Sequence, residues 1–221
     1  MYHHIGYPPP TADAIRRDLT VTPEAFETQM SWFKQQGYDT ISLGELIDGY
    51  SHPDSLPAKP VILTFDDGYD DAFIHAFPIL KKYGFKGTFF IISRTINIPG
   101  YLSAEQLKEM SDSGMSIEAH CMTHADLTKL SLEEVRRQAV EPRQAIEACT
   151  GKRPDYFCYP SGKYNGAVIE VLRESGYSAA VTTSFGARHQ LDSIFELKRI
   201  RVKGADRLED FVLRLKKANS I

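Results

Sequence analysis

Cysteine is scarce in this chain: Cys121, Cys149 and Cys158 are the three among 221 residues, and no CxxC pair occurs. An odd count without paired spacing argues against a disulfide framework, and a chain of this length can bury a core without one. Long apolar runs are missing too. No stretch approaches the roughly 18 residues that span a bilayer, so no membrane span is expected. The opening MYHHIGYPPP has neither the charged nor the apolar region of a signal peptide, and none is expected there. The residues themselves leave the compartment open. No Lys/Arg run stands out and the net charge is −3, which excludes nucleic acid as the expected partner. Internal repeats and low-complexity tracts are absent. What remains, 42% hydrophobic and 25% charged, is an ordinary globular composition, and residues 1–221 are expected to form a single domain.

Two Pro-rich stretches, 7–18 and 51–60, read as loops. Between them TPEAFETQMSWFKQQG reads as a helix capped by Thr22 and ended by Gly37, with Phe26, Met30 and Phe33 on one face. From residue 60 onward short apolar runs alternate with helical segments. VILTF, GTFFII, MSIEAH, DYFCYP, SAAVTT and LKRIRV read as strands. The intervening helices carry start signals at Ser103/Gln106 and Ser131/Glu134 and stop signals at Gly84, Gly114 and Gly151. Pro78 is expected to bend the helix that contains it. Strand then helix, repeated about six times, predicts an α/β fold with a parallel sheet, either an open doubly wound sheet or a closed barrel.

The polar residues of interest fall at the C-terminal ends of these strands, where a barrel places its active residues. Asp66 and Asp67 follow VILTF, His120 follows MSIEA, and Pro160-Ser161-Gly162 follows YFCY. Asp-Asp-Gly alone reads first as a turn; two like charges at a strand end also suit a divalent cation. His120 and His124 stand four apart, which on a helical turn puts both imidazoles on one face, able to share a metal. Cys121 between them reads as packing. The Pro-x-Gly turn can present a backbone N–H to a developing oxyanion.

Taken together, TFDDGY, the HxxxH about fifty residues later and the aromatic strand end YPSG resemble the polysaccharide deacetylases, the carbohydrate esterases with a NodB homology domain. The resemblance covers roughly residues 60 to 185 by motif. It implies a distorted (β/α) barrel of about seven strands and a hydrolase that removes N-acetyl groups from N-acetylglucosamine-containing polysaccharide. It also implies one divalent metal, zinc foremost with cobalt or nickel also fitting, and a site in the cell envelope or outside the cell. Position by position it makes Asp66 the general base, Asp67, His120 and His124 the metal ligands, and the Ser161 N–H a holder of the oxyanion. Tyr69, Tyr159 and Pro160 become walls for the sugar.

Some positions depart from the family pattern. Cys121 stands where a Ser or Thr follows the first His. Cys158 stands where many members have an Arg that orients the base, and Arg153 reads as a surface residue. The late Leu-x-His that supplies the general acid is missing, and His189 reads as a loop residue. The branch that deacetylates poly-β-1,6-N-acetylglucosamine takes its acid from a YH near the domain start, which in MYHHIG makes His3 the acid and His4 its competitor on the opposite face of a strand. Two rivals stay open: the same site cleaving another amide or ester, and a catalytically silent glycan-binding module.

Overall fold

The computed structural model describes residues 1–219. The first stretch of chain gives β1 (His4–Ile5), α1 (Ala14–Asp18), β2 (Thr20–Val21), α2 (Pro23–Gln35), β3 (Asp39–Thr40), α3 (Leu43–Ser51) and β4 (Pro60–Val61). The strand and helix alternation then runs β5 (Thr64–Phe65), α4 (Phe77–Tyr83), β6 (Thr88–Ile91), α5 (Ala104–Asp112), β7 (Ser116–Ala119), α6 (Leu132–Thr150), β8 (Tyr156–Cys158), α7 (Gly166–Glu174), β9 (Ala179–Phe185), β10 (Leu197–Arg199) and α8 (Leu208–Asn219).

Strands β5 to β10 form one six-stranded sheet in the order β10-β9-β8-β7-β6-β5, with every neighbouring pair parallel. Each new strand lies beside the one before it. A doubly wound sheet would reverse its order partway, so this order selects the curled, barrel-like alternative. The chain's first residues fill the gap between the two sheet edges. Tyr2 bridges Phe65 in parallel, donating to Thr64 O at 2.8 Å and accepting from Asp66 N at 3.0 Å. On the other side Val202 N donates to Met1 O at 3.1 Å. The six strands plus this segment account for the barrel of about seven.

The core lies between this wall and the helices. Phe65 and Phe89 stack at 4.6 Å, and Tyr2 stacks on Phe65 at 5.4 Å. All three are at most 2% exposed; burying a ring of this size contributes about 1.5–3 kcal/mol. Phe26, Met30 and Phe33 of α2 are buried as their spacing predicts. Gln29 joins them because its side chain accepts the Tyr2 hydroxyl at 2.7 Å. Ser103 and Gln106 make the full reciprocal cap. Ser131 accepts from Glu134 N, but the Glu134 carboxylate turns to Arg137 and Gln138 instead of returning to the cap.

Three local expectations are revised. The stretch 7–18 is not all loop: the Asp13 side chain accepts from Arg16 N at 2.7 Å and starts α1. Pro78 does not bend an α-helix at its middle. The helix opens with a wide π-turn over Ala72–Ala76, and Phe77 N reaches back five residues to Ala72 O. Proline has no N–H to close the normal ladder one residue later, and the extra residue absorbs the mismatch. His120 and His124 are not on a helical turn, as described next.

Candidate active site

The end of β5 separates its two carboxylates by a backbone twist. Asp67 takes left-handed φ of 75° and Gly68 follows at 79°. A Cβ on Gly68 would stand 3.3 Å from Ile91, so this turn needs glycine twice over. The result aims Asp66 and Asp67 at different partners, which is why adjacent like charges are tolerated.

Asp66 meets Arg199, a residue that the sequence reading passed over. Arg199 Nη1 and Nη2 each donate to one Asp66 oxygen at 2.7 Å, a forked pair buried from solvent. The guanidinium also donates to Thr182 O at 2.8 Å and Thr64 Oγ1 at 3.2 Å, and lies 3.2 Å from Cys158 Sγ. Arg199 thus reaches from β10 into the space that Cys158 leaves on β8. Burial alone would raise the Asp66 pKa, but the guanidinium overrides it and holds the carboxyl far below the usual range. A signal existed in the sequence. In LKRIRV, Arg199 shares strand parity with Leu197, and both are buried. Arg153 is exposed, as read.

Asp67 faces the histidines. Its buried Oδ1 has no hydrogen-bond partner and lies 3.2 Å from His120 Nε2 and 3.7 Å from His124 Nε2. His120 donates from Nδ1 to Cys158 O at 2.8 Å, which leaves Nε2 as a lone pair aimed at the site. Residues 120–124 form an irregular bend in which Cys121 and His124 both adopt positive φ. The two rings meet edge to face at 4.9 Å, so convergence comes from backbone strain and not from helical spacing. Cys121 tightens this bend: its sulfur accepts from His124 N at 2.9 Å. It is therefore more than packing.

An acidic oxygen and two imidazole nitrogens converging at a buried, unpaired atom fit a divalent cation of the zinc type. The ligating atoms of Asp66, His120 and Cys158 also lie within 4.8 Å of one another. That second group fits poorly, because Arg199 already occupies both Asp66 oxygens and contacts the thiol.

His3 Nε2 lies 4.0 Å from Asp66 Oδ2, and His3 Nδ1 has no partner. Burial lowers its pKa to about 4 against the pull of Asp66 and Asp67. His4 faces the other way, as strand alternation requires, with Nδ1 on Asp71 Oδ2 at 2.7 Å. His189 lies beside an apolar cavity of about 230 Å³ that it shares with Lys198 and Leu197, and makes no contact with Asp66. Ser161 sits exposed in a tight turn at φ 53°, and a Cβ on Gly162 would collide with Thr183. Pro160 and Tyr159 are buried. The Tyr159 ring packs on Phe157 and Tyr164, which puts it behind the site and out of reach of a sugar. Tyr69 is half-buried, its ring stacked on His4 and Tyr101.

Among the described residues no helix is long and apolar enough to cross a membrane. Residues 54–180 match the family model described as polysaccharide deacetylase. Over 202 residues the chain is 32% identical to YxkH of Bacillus subtilis (strain 168), whose name refers to that family, covering 91% of this chain and 70% of that protein. It is 24% identical to the poly-beta-1,6-N-acetyl-D-glucosamine N-deacetylase of Escherichia coli (strain K12), covering 90% of this chain and 36% of that protein. Among solved structures it is similar to the Streptococcus pyogenes deacetylase PplD in complex with acetate. That similarity has a TM-score of 0.90 and 30% identity, over 97% of this chain and 95% of PplD.

Proposed function

This chain belongs to the polysaccharide deacetylase family, and we propose that it hydrolyses N-acetyl groups on an N-acetylglucosamine polymer at a site requiring one divalent cation. The observation that carries this reading is the pairing of a forked, ionised Asp66 with a cation-ready Asp67, His120 and His124 on the next residue and the facing loop. The likeness to PplD with bound acetate, the product expected here, supports it. So does the resemblance to enzymes named for poly-beta-1,6-N-acetyl-D-glucosamine. Residues 1–221 act as one catalytic domain in this reading, working on envelope or extracellular glycan.

Asp67, His120 and His124 would hold the cation, with zinc, cobalt and nickel all suited to this donor set. When bound, it supplies Lewis acidity that polarises the acetamide carbonyl and eases deprotonation of water. Asp66 takes the proton of the attacking water. Arg199 keeps that carboxylate charged and fixes its lone pairs at rest, so the base needs no reorganisation. The Ser161 N–H receives the oxyanion. His3 hands a proton to the departing sugar nitrogen, which leaves poorly as an anion. Because burial keeps His3 neutral at rest, its proton arrives during turnover, and Asp66 at 4.0 Å is the nearest source. The water proton thus passes from Asp66 to His3 to the amine, and acetate and a free amino sugar result. Pro160 and Tyr159 back the turn that carries Ser161.

A missing Arg at position 158 would suit a silent module, but Arg199 reaches Asp66 from β10 instead, which supports the catalytic reading. Incubation with an N-acetylglucosamine oligomer and Zn²⁺ or Co²⁺ tests the reading. Free amines should appear with the wild type, vanish with chelator and fall about 10²–10⁴-fold in Asp66→Asn. Release from acetyl esters alone would place the activity elsewhere, and glycan binding without turnover would leave a silent module.

A further inference from the structure

The bend that carries His124 lies past the end of a strand ladder, and α6 supplies part of what it lacks. His120 N donates to Ile91 O at 2.9 Å, where the pairing of β7 with β6 ends. Beyond it the carbonyls of Cys121 and Met122 accept from Ser93 N and Arg94 N at 3.2 and 3.1 Å. The next N–H groups go to a side chain instead. Met122 N and Thr123 N both donate to Gln138 Oε1, at 3.2 and 3.1 Å. Thr123 Oγ1 lies 3.2 Å from that oxygen and 3.0 Å from Gln138 Nε2.

Gln138 has no part in the reaction above, yet it is 2% exposed on α6. Its amide fits only one way round. Oε1 faces two backbone donors, and Nε2 donates to Glu134 Oε1 at 3.0 Å, one turn earlier on the same helix. Glu134 is fixed in turn by Arg137, whose Nε and Nη2 donate to it at 2.8 and 3.0 Å. The bend needs such a hold, because Cys121 and His124 stand at φ 55° and 59°. The two histidines also differ in how they are fixed. The His120 ring is buried and tied through Nδ1 to Cys158 O. The His124 side chain is 38% exposed, so its approach to Asp67 Oδ1, 3.7 Å from Nε2, depends on where the backbone puts it.

We propose that Gln138 is a positioning residue for the metal ligand His124. Its amide oxygen gathers the Met122 and Thr123 N–H groups and holds the strained bend that turns His124 toward Asp67 and His120. Gln138 touches neither cation nor substrate and acts only through the backbone of the bend. The inference rests on the metal reading above and adds that cation affinity is set in part from α6.

Calorimetric titration of the chelator-treated full chain with Zn²⁺ and Co²⁺ tests this without reference to activity. Gln138→Met keeps a side chain of similar length and removes the acceptor, and its dissociation constants should rise about 10- to 100-fold. The visible absorption of its Co²⁺ form should shift toward that of His124→Ala, a signature that loosening of the fold alone would not produce. In the His124→Ala background the same substitution should weaken binding no further, since both act on one ligand. Gln138→Glu combined with Glu134→Gln returns an acceptor to both N–H groups and reverses the bond between the two side chains, and should bind as the wild type does. Where Gln138→Met does not fold, Gln138→Asn, which draws the amide back by one methylene, is measured in its place with the same expectation. Wild-type affinity in the folded variant, additive losses with His124→Ala, or lost binding in the exchanged pair would overturn the proposal. A wild type that binds neither cation would sink the metal reading and this proposal with it, whereas a binding wild type with an unaffected Gln138 variant sinks the positioning role alone.

Discussion

The barrel mouth and the helical shell solve the same backbone problem with different residues. Both need left-handed turns. In the shell these fall on glycines that end helices, such as Gly84 and Gly151, where a Cβ would meet nothing within 4 Å. At the mouth Gly68 and Gly162 take such turns too, but so do Asp67, Cys121, His124 and Ser161, which with Asn97 are the non-glycine residues at positive φ among the described residues. An L-residue there costs roughly 1–2 kcal/mol. Glycine was available at each position and would have removed the strain. The side chains stay because Asp67 and His124 face the proposed cation, and Cys121 braces the bend between them. Conformational strain marks function here, and its relief by glycine marks architecture.

The contrast extends to buried charge. The mouth buries Asp66 against Arg199 as a forked pair. The largest effect we expect on stability comes from breaking it. Arg199→Ala should destabilise the fold by about 3–5 kcal/mol, because a carboxylate is left buried without its partner. Arg199→Lys should recover part of this, since one ammonium cannot fork. Urea unfolding reads both, and equal stability of the Ala variant and the wild type would refute the contrast.

Away from the mouth, strand β7 buries Glu118 on hydrogen bonds alone. Glu118 accepts from Ser116 Oγ at 2.6 Å and from the backbone of Asp155 and Tyr156, each at 2.9 Å. Those bonds favour the charged form, but burial outweighs them and raises its pKa from 4.5 to about 7. The two carboxylates therefore respond to pH with opposite sign. Asp66 is depressed when folded, so its contribution is present above its ordinary 3.8 and is lost as pH falls below that. Glu118 holds its proton more tightly when folded, so its contribution is present below pH 4.5 and is lost as pH rises toward about 7. The loss is at most about 3 kcal/mol, from 1.36 kcal/mol per pKa unit. Glu118→Gln should flatten stability between those pH values while leaving the acid limb intact. An unchanged slope in chemical denaturation across that window would show that Glu118 titrates normally.

How far the sequence carried these distinctions follows from the range of the forces. Local signals were legible: the caps at Thr22 and Ser103, the glycine stops and the strand ends bearing Asp66, Asp67 and His120 depend on neighbours within a few residues. Strand order was not legible as a choice between open sheet and barrel, because closure depends on Tyr2 meeting Phe65 sixty-odd residues away. Arg199 was missed for the same reason. Its partner Asp66 lies 133 residues earlier, and nothing in LKRIRV names that partner, although its parity with Leu197 announces burial. The HxxxH spacing drew attention to two histidines that do converge, but the helical turn inferred from it was wrong. Spacing alone cannot distinguish a helix from a bend held by a Cys121 sulfur.

The smallest effect sharpens the opening contrast most. Ser161 pays for its left-handed turn without contributing its side chain to the reaction as we read it; only its N–H is used. Ser161→Gly should then remove the Cβ penalty of roughly 1–2 kcal/mol, partly offset by the about 0.5–1 kcal/mol that glycine's unfolded-state freedom costs. A net gain of up to about 1.5 kcal/mol is expected, with deacetylation retained because the N–H remains. Gly84→Ala, in the shell, should lose about the same amount, since there the left-handed turn is already made by the residue best suited to it. Thermal unfolding beside an amine-release assay measures both sides. If Ser161→Gly were stabilised yet inactive, the hydroxyl and not the backbone would be the group that the strained turn exists to present.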